Sequence, residues 1–111
     1  MSISIVVSDT VPVRVKGSLP NKAGVAEPFD FTLLCDRIDA DELNELNQGD
    51  QRLVDVLLPR TRGWEHVLDE NRQPVPFGEA AFRQLYRIVG LAGLTFKAYV
   101  EASGAKGREK N

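Results

Sequence analysis

The stretch Gly63–Phe77, GWEHVLDENRQPVPF, constrains this chain more than any other, because it holds the only Trp and two prolines one residue apart. After the apolar group Trp64, Val67 and Leu68, the polar run Asp69-Glu70-Asn71-Arg72 favours a tight turn, with Asn71 the residue that tolerates a positive φ. Pro74 and Pro76 forbid a helix and push Gln73 and Val75 toward extended backbone. With Gly78 as N-cap, Phe77 falls at N′ and Phe82 at N4, the spacing at which two apolar side chains clasp a helix start. Trp64, Phe77 and Phe82 are therefore the expected structural anchors, with Trp64 joining the corner to the helix that follows.

Period-2 alternation precedes the corner. Ile3, Ile5 and Val7, then Val11, Val13 and Val15, predict two strands joined at Ser8-Asp9-Thr10, and Pro12 predicts that the second lies at a sheet edge. Gly17–Ala26 reads as a loop, and Phe29, Phe31 and Leu33 read as a third strand. Asp39-Ala40-Asp41-Glu42 is a capping-box pattern that opens a short helix with Leu43 and Leu46 inward and Gly49 as its C′ glycine. A second helix from Asp50 must break near Pro59. Phe82, Leu85, Tyr86 and Val89 share one helical face, Gly90 interrupts, and a last helix over Leu91–Ser103 carries Leu91, Leu94, Ala98, Tyr99 and Ala102 inward. The expected fold class is α+β, an N-terminal antiparallel hairpin or three-stranded meander packed against three to four short helices. The chain reads as one domain: residues 1–38 β-rich, 39–103 helical, and 104–111 a polar tail that frays.

Composition narrows function mainly by exclusion. A net charge of −2 argues against a nucleic-acid surface, the one cysteine cannot form an internal disulfide, and no apolar run approaches a membrane span. A soluble protein of a reducing cytoplasm is the expectation. His66, the only histidine, has no Cys near it at metal-ligand spacing, and Cys35 ends an apolar strand as buried thiols do, so no metal, cofactor or catalytic residue is expected. No glycine pattern forms a phosphate cradle. Between Asp36 and Asp55, seven acidic residues stand against two arginines, a local balance of −5 that suits either a solvated helical face or a docking surface for a basic partner. Lys97, Lys106, Arg108 and Lys110 give the C-terminal part the opposite sign, a polarity that suits self-association.

Three segments together resemble the tail assembly chaperones of long-tailed bacteriophages and prophages: FDFTLLCDRIDADEL (Phe29–Leu43), GWE followed by Val67, Asp69, Glu70, Pro74, Pro76 and Phe77, and AYVEASGAKGREKN (Ala98–Asn111). The chain departs from that family in having Pro59-Arg60-Thr61-Arg62 where members tend to run a helix into GWE, and Gly78 where they often cap with Ser. The resemblance implies a non-enzymatic protein of the host cytoplasm that binds the tape-measure protein, recruits tail-tube subunits to it and is absent from the virion. The alternative is a structural tail protein, a tube or connector component that stays in the particle; a small enzyme is a third reading with no site to support it. Tyr86, Leu91, Leu94 and Tyr99, on two short helices, are the expected partner-binding residues. The family also implies a longer form made by a −1 frameshift, for which Glu109-Lys110-Asn111 matches the peptide that a slippery heptamer encodes.

Overall fold

The computed structural model describes residues 2–107; the readings made for Arg108–Asn111, including the frameshift junction, lie outside them. Strands β1 (Thr10–Pro20), β2 (Ala26–Asp36) and β3 (Thr61–Glu65) form an antiparallel sheet in that order. Helices α1 (Ala40–Gln48) and α2 (Leu53–Leu57), the latter running into a 3-10 turn at Leu58–Arg60, lie between β2 and β3; α3 (Glu79–Leu85) and α4 (Leu91–Ser103) follow. The architecture is α+β, and the third strand comes from Thr61–Glu65 rather than from Ile3–Val7. That segment forms no strand, because Arg37 holds the residues where the chain was expected to turn: its backbone N–H donates to Asp9 O and its Nε to Ser8 O. A strand thus falls inside the region expected to be helical, since Pro59 stops α2 and Thr61 begins extended.

The β1–β2 hairpin is longer than the alternation predicts. Pairing runs unbroken from Thr10↔Asp36 to Pro20↔Ala26, so the expected loop over Gly17–Ala26 shrinks to Asn21–Val25. Two things extend it. Gly17 lets the Phe29 ring lie across its backbone, where a Cβ would sit 2.6 Å from Cζ, and Asn21 closes the loop by accepting from Ala23 N and Val25 N with one side-chain oxygen. Val11, Val13, Val15, Phe31, Leu33 and Cys35 alternate onto one buried face. Pro12 lies on the edge strand, as its missing donor requires.

α4 covers that face, with Leu91, Thr95 and Tyr99 buried at i, i+4 and i+8. The buried stripe therefore passes through Thr95 rather than Leu94, and Thr95 is satisfied by the Tyr86 hydroxyl at 2.9 Å. α3 ends a turn early at Leu85, leaving Val89 98% exposed instead of inward. Asp39 caps α1 as expected, accepting from Glu42 N at 2.8 Å, but the Glu42 carboxylate faces Arg60 at 3.6 Å. Gly49 ends α1 in extended backbone, its N–H on Leu46 O, rather than in the left-handed C′ geometry.

The turn after Trp64 repeats the hairpin loop in different residues. Asp69 Oδ1 accepts from Asn71 N and Gln73 N, as Asn21 Oδ1 does from Ala23 N and Val25 N. Asp69 N–H donates to Gln73 O and Asn21 N–H to Val25 O. The left-handed position is Gly24 (φ 79°) in one loop and Arg72 (φ 60°) in the other, so Arg72, not Asn71, carries the positive φ. A side chain in this region costs about 1 kcal/mol relative to glycine. Arg72→Gly should therefore raise stability, and Gly24→Ala lower it, each by about 1 kcal/mol in thermal unfolding; changes of the same sign would refute the equivalence of the two loops.

Candidate functional site

The corner is built around Trp64. Paired to Leu33 across the sheet, it stacks on Phe82 (centroids 6.3 Å) and meets Phe77 edge-on (5.2 Å), while Phe77 and Phe82 meet edge-on at 6.1 Å. Its indole N–H donates to Val75 O at 2.7 Å, which ties β3 to the proline segment. His66, at φ 68°, turns the chain out of β3, and Val75 N–H on Val67 O closes a small second hairpin over Val67–Val75. All three expected anchors meet in one cluster that roofs the sheet beside α3.

The expected partner-binding set does not form a surface. Tyr86 (8% exposed), Leu91 (4%) and Tyr99 (0%) are core residues, and only Leu94, at 39%, reaches solvent. Two short helices broken at Gly90 bury most of their larger apolar side chains at least in part here, because the long hairpin offers more inner face than the alternation predicted. A partly exposed apolar surface lies instead along a groove of about 140 Å³ between the far end of the hairpin and the corner, walled by Leu19, Phe29, Val67, Leu68, Leu85 and Ile88. Leu94 adjoins it, its Cδ2 packed beside Gly17 and the Phe29 ring. Leu19 was missed because it sits in a segment read as loop, and Leu68 because the apolar group it closes, with Trp64 and Val67, belongs to no periodic pattern.

Candidate chemistry resolves into structure. Cys35 is fully buried, and its thiol lies 3.7 Å from Thr61 Oγ1. Since the Thr61 hydroxyl donates to Leu57 O at 2.8 Å, the thiol is the donor of that pair. Burial pushes its pKa up to about 11, so it stays protonated. His66 follows Glu65, the partner of Thr32, so at ~3.3 Å per strand residue it is about 13 Å from Cys35 along β2. No cluster able to hold a metal ion occurs among the described residues. No described helix is long and apolar enough to cross a membrane.

Much of the acidic run is engaged within the fold. Asp36 pairs with Arg62 at 2.8 Å, Asp55 with Arg83 (3.0 Å) and Arg52 (3.1 Å), Glu42 faces Arg60, and Asp39 caps α1. Hydrogen bonds from Arg62 and Arg83 hold the Asp36 and Asp55 carboxyls below the usual range. Asp41, Glu45 and Asp50 form no ion pair among the described residues and lie exposed on and beyond α1. No protein-family model matches the chain, and neither a curated protein nor a solved structure shows significant similarity to it.

Two measurements follow from the corner and the buried acids. Trp64→Ala removes the indole from both phenylalanine contacts and should cost about 3 kcal/mol in urea denaturation; a loss under about 1 kcal/mol would mean the ring is no anchor. Burial raises Cys35 to about 11 and Tyr99 to about 12, and pushes Tyr86 up as well. In the unfolded chain these groups ionise nearer their ordinary values of 9.0 and 10.0, so the unfolded state releases protons first. The Cys35 contribution is thus intact at neutral pH and lost as pH rises from 9.0 toward 11, and that of Tyr99 is lost from 10.0 toward 12. A melting temperature unchanged between those limits would contradict the burial.

Proposed function

We propose that this chain is a tail assembly chaperone of a long-tailed bacteriophage or prophage: a non-enzymatic protein of the host cytoplasm that binds the tape-measure protein, recruits tail-tube subunits and is absent from the mature virion. The observation that carries the proposal is the ordered resemblance of its three segments to that family. The fold supports it by drawing two of those segments into one junction. Asp36-Arg37-Ile38 of the first meets Tyr99 and Ser103 of the third, through Tyr99 OH on Asp36 O, Arg37 Nη1 on Ser103 O (2.7 Å) and Ile38 N on Ser103 Oγ (3.3 Å).

A tape measure is a long helical protein prone to aggregate, and a chaperone for it needs an apolar groove rather than a reactive site. The groove walled by Leu19, Phe29, Leu68 and Ile88, with Leu94 beside it, has that character, and it replaces Tyr86, Leu91 and Tyr99 as the proposed contact. Cys35, protonated and enclosed, serves packing in this reading.

Mass spectrometry of purified virions tests the assignment: the chain should be missing or far below one copy per tube subunit, whereas stoichiometric retention would favour the alternative of a structural tail protein. Co-expression tests the groove. Leu68→Ser, at a residue 48% exposed, should leave the circular dichroism intact and return the tape measure to the insoluble fraction; a tape measure that stays soluble would place the contact elsewhere.

A further inference from the structure

The segment before β1 carries a run of exposed apolar side chains. Ile3, Ile5, Val6 and Val7 are 93, 99, 78 and 58% exposed, in a β-branched run with no strand partner among the described residues. Beside it, β1 ends the sheet with one edge unpaired along eleven residues. Asn21 N–H bonds to Val25 O and Arg37 N–H to Asp9 O, both in the β1–β2 register, so the odd-numbered β1 residues bond to β2. Thr10, Pro12, Arg14, Lys16 and Ser18 therefore turn their backbone groups to the free edge, and the donor that Pro12 lacks is missing from that edge.

The segment cannot fill its own edge. Arg37 holds Ser8 through Nε to the carbonyl and Nη2 to the hydroxyl, and its backbone holds Asp9, so the reversal that a hairpin would need at Ser8–Thr10 is blocked. We propose that Ser2–Ser8 is a donor strand for a second copy of this chain, adding antiparallel to the free edge of that copy's β1 about a two-fold axis at Thr10. The exchange is reciprocal and closes as a dimer.

Three features of the chain select this pairing. Ser8 would face Pro12, and Ser8 O already accepts from Arg37, so it requires nothing from a residue that has no N–H. Val7, Ile5 and Ile3 would face Val13, Val15 and Gly17, which sets the apolar side chains on the sheet's inner face and brings Ile3 over the exposed Leu94 beside Gly17. Arg14 and Lys16 would face Val6 and Ser4. Pairing β1 directly with β1 of another copy would instead set Arg14 against Arg14 or Lys16, which like charges disfavour. The cations and Pro12 thus reject other edges while admitting the segment.

Sedimentation velocity on the full chain should give a dimer. Ile5→Asp, at a fully exposed position, should halve the mass while the circular dichroism and melting transition persist. Lys16→Pro, which removes a donor only from the free edge, should do the same. Ser4→Cys with Lys16→Cys should give a covalent dimer on a non-reducing gel, with the buried Cys35 not competing. A wild-type chain that is monomeric throughout its soluble range, or a dimer that survives both Ile5→Asp and Lys16→Pro, would overturn the proposal.

Discussion

The fold depends on what Tyr99 does at the end of β2. Its side chain is the largest fully excluded from water among the described residues, and its hydroxyl donates to Asp36 O, the last carbonyl of the strand. A tyrosine buried this way serves two layers at once, since the ring fills space between α4 and the sheet while the oxygen satisfies backbone that the sheet leaves unpaired. The neighbouring residues are secured from the same place. Asp36 turns its carboxylate to Arg62 of β3, and Arg37 reaches both Ser103 and the residues preceding β1. Three other parts of the chain, α4, β3 and the segment before β1, are thereby referred to one strand end, and the meeting of helix and sheet is set there rather than by α1, which has no fully buried residue.

What the sequence revealed were the features with a short-range cause. Asp39 as a cap, the Phe77–Phe82 clasp, the break at Pro59 and the span of α4 each follow from chemistry within a few residues, and each is present. What it concealed was decided across space. Ile3, Ile5 and Val7 recur at the same spacing as Val11, Val13 and Val15, yet the turn that would have made them a strand is taken up by Arg37, which lies far along the chain. Thr61–Glu65 carries no alternation, because Gly63 interrupts it and a bulge between Leu34 and Cys35 shifts its register. It becomes a strand because β2 has an edge to offer and Trp64 falls opposite Leu33.

The same division governs the candidate site. Aromatic and aliphatic residues on the last two helices read equally well as core or as surface, since amphipathic spacing says that a face is apolar and not what covers it. The long hairpin covers it here, so Tyr86, Leu91 and Tyr99 went inward and the apolar walls of the groove came from residues such as Leu19, Leu68 and Ile88. None of these belongs to a periodic pattern. A groove assembled from a strand end, a turn and a helix terminus has no sequence signature of its own, and only the packing that brings those pieces together makes it visible.

The indole of Trp64 gives this small chain an optical handle. It is the only one, it stacks on the buried Phe82, and it lines a depression that shares Val67, Leu68, Leu85 and Ile88 with the groove. Its emission therefore responds both to loss of the aromatic cluster and to anything that displaces water along that shared wall. Folding and occupancy can be followed by fluorescence in the unlabelled protein, with no dye to compete for the surface under study.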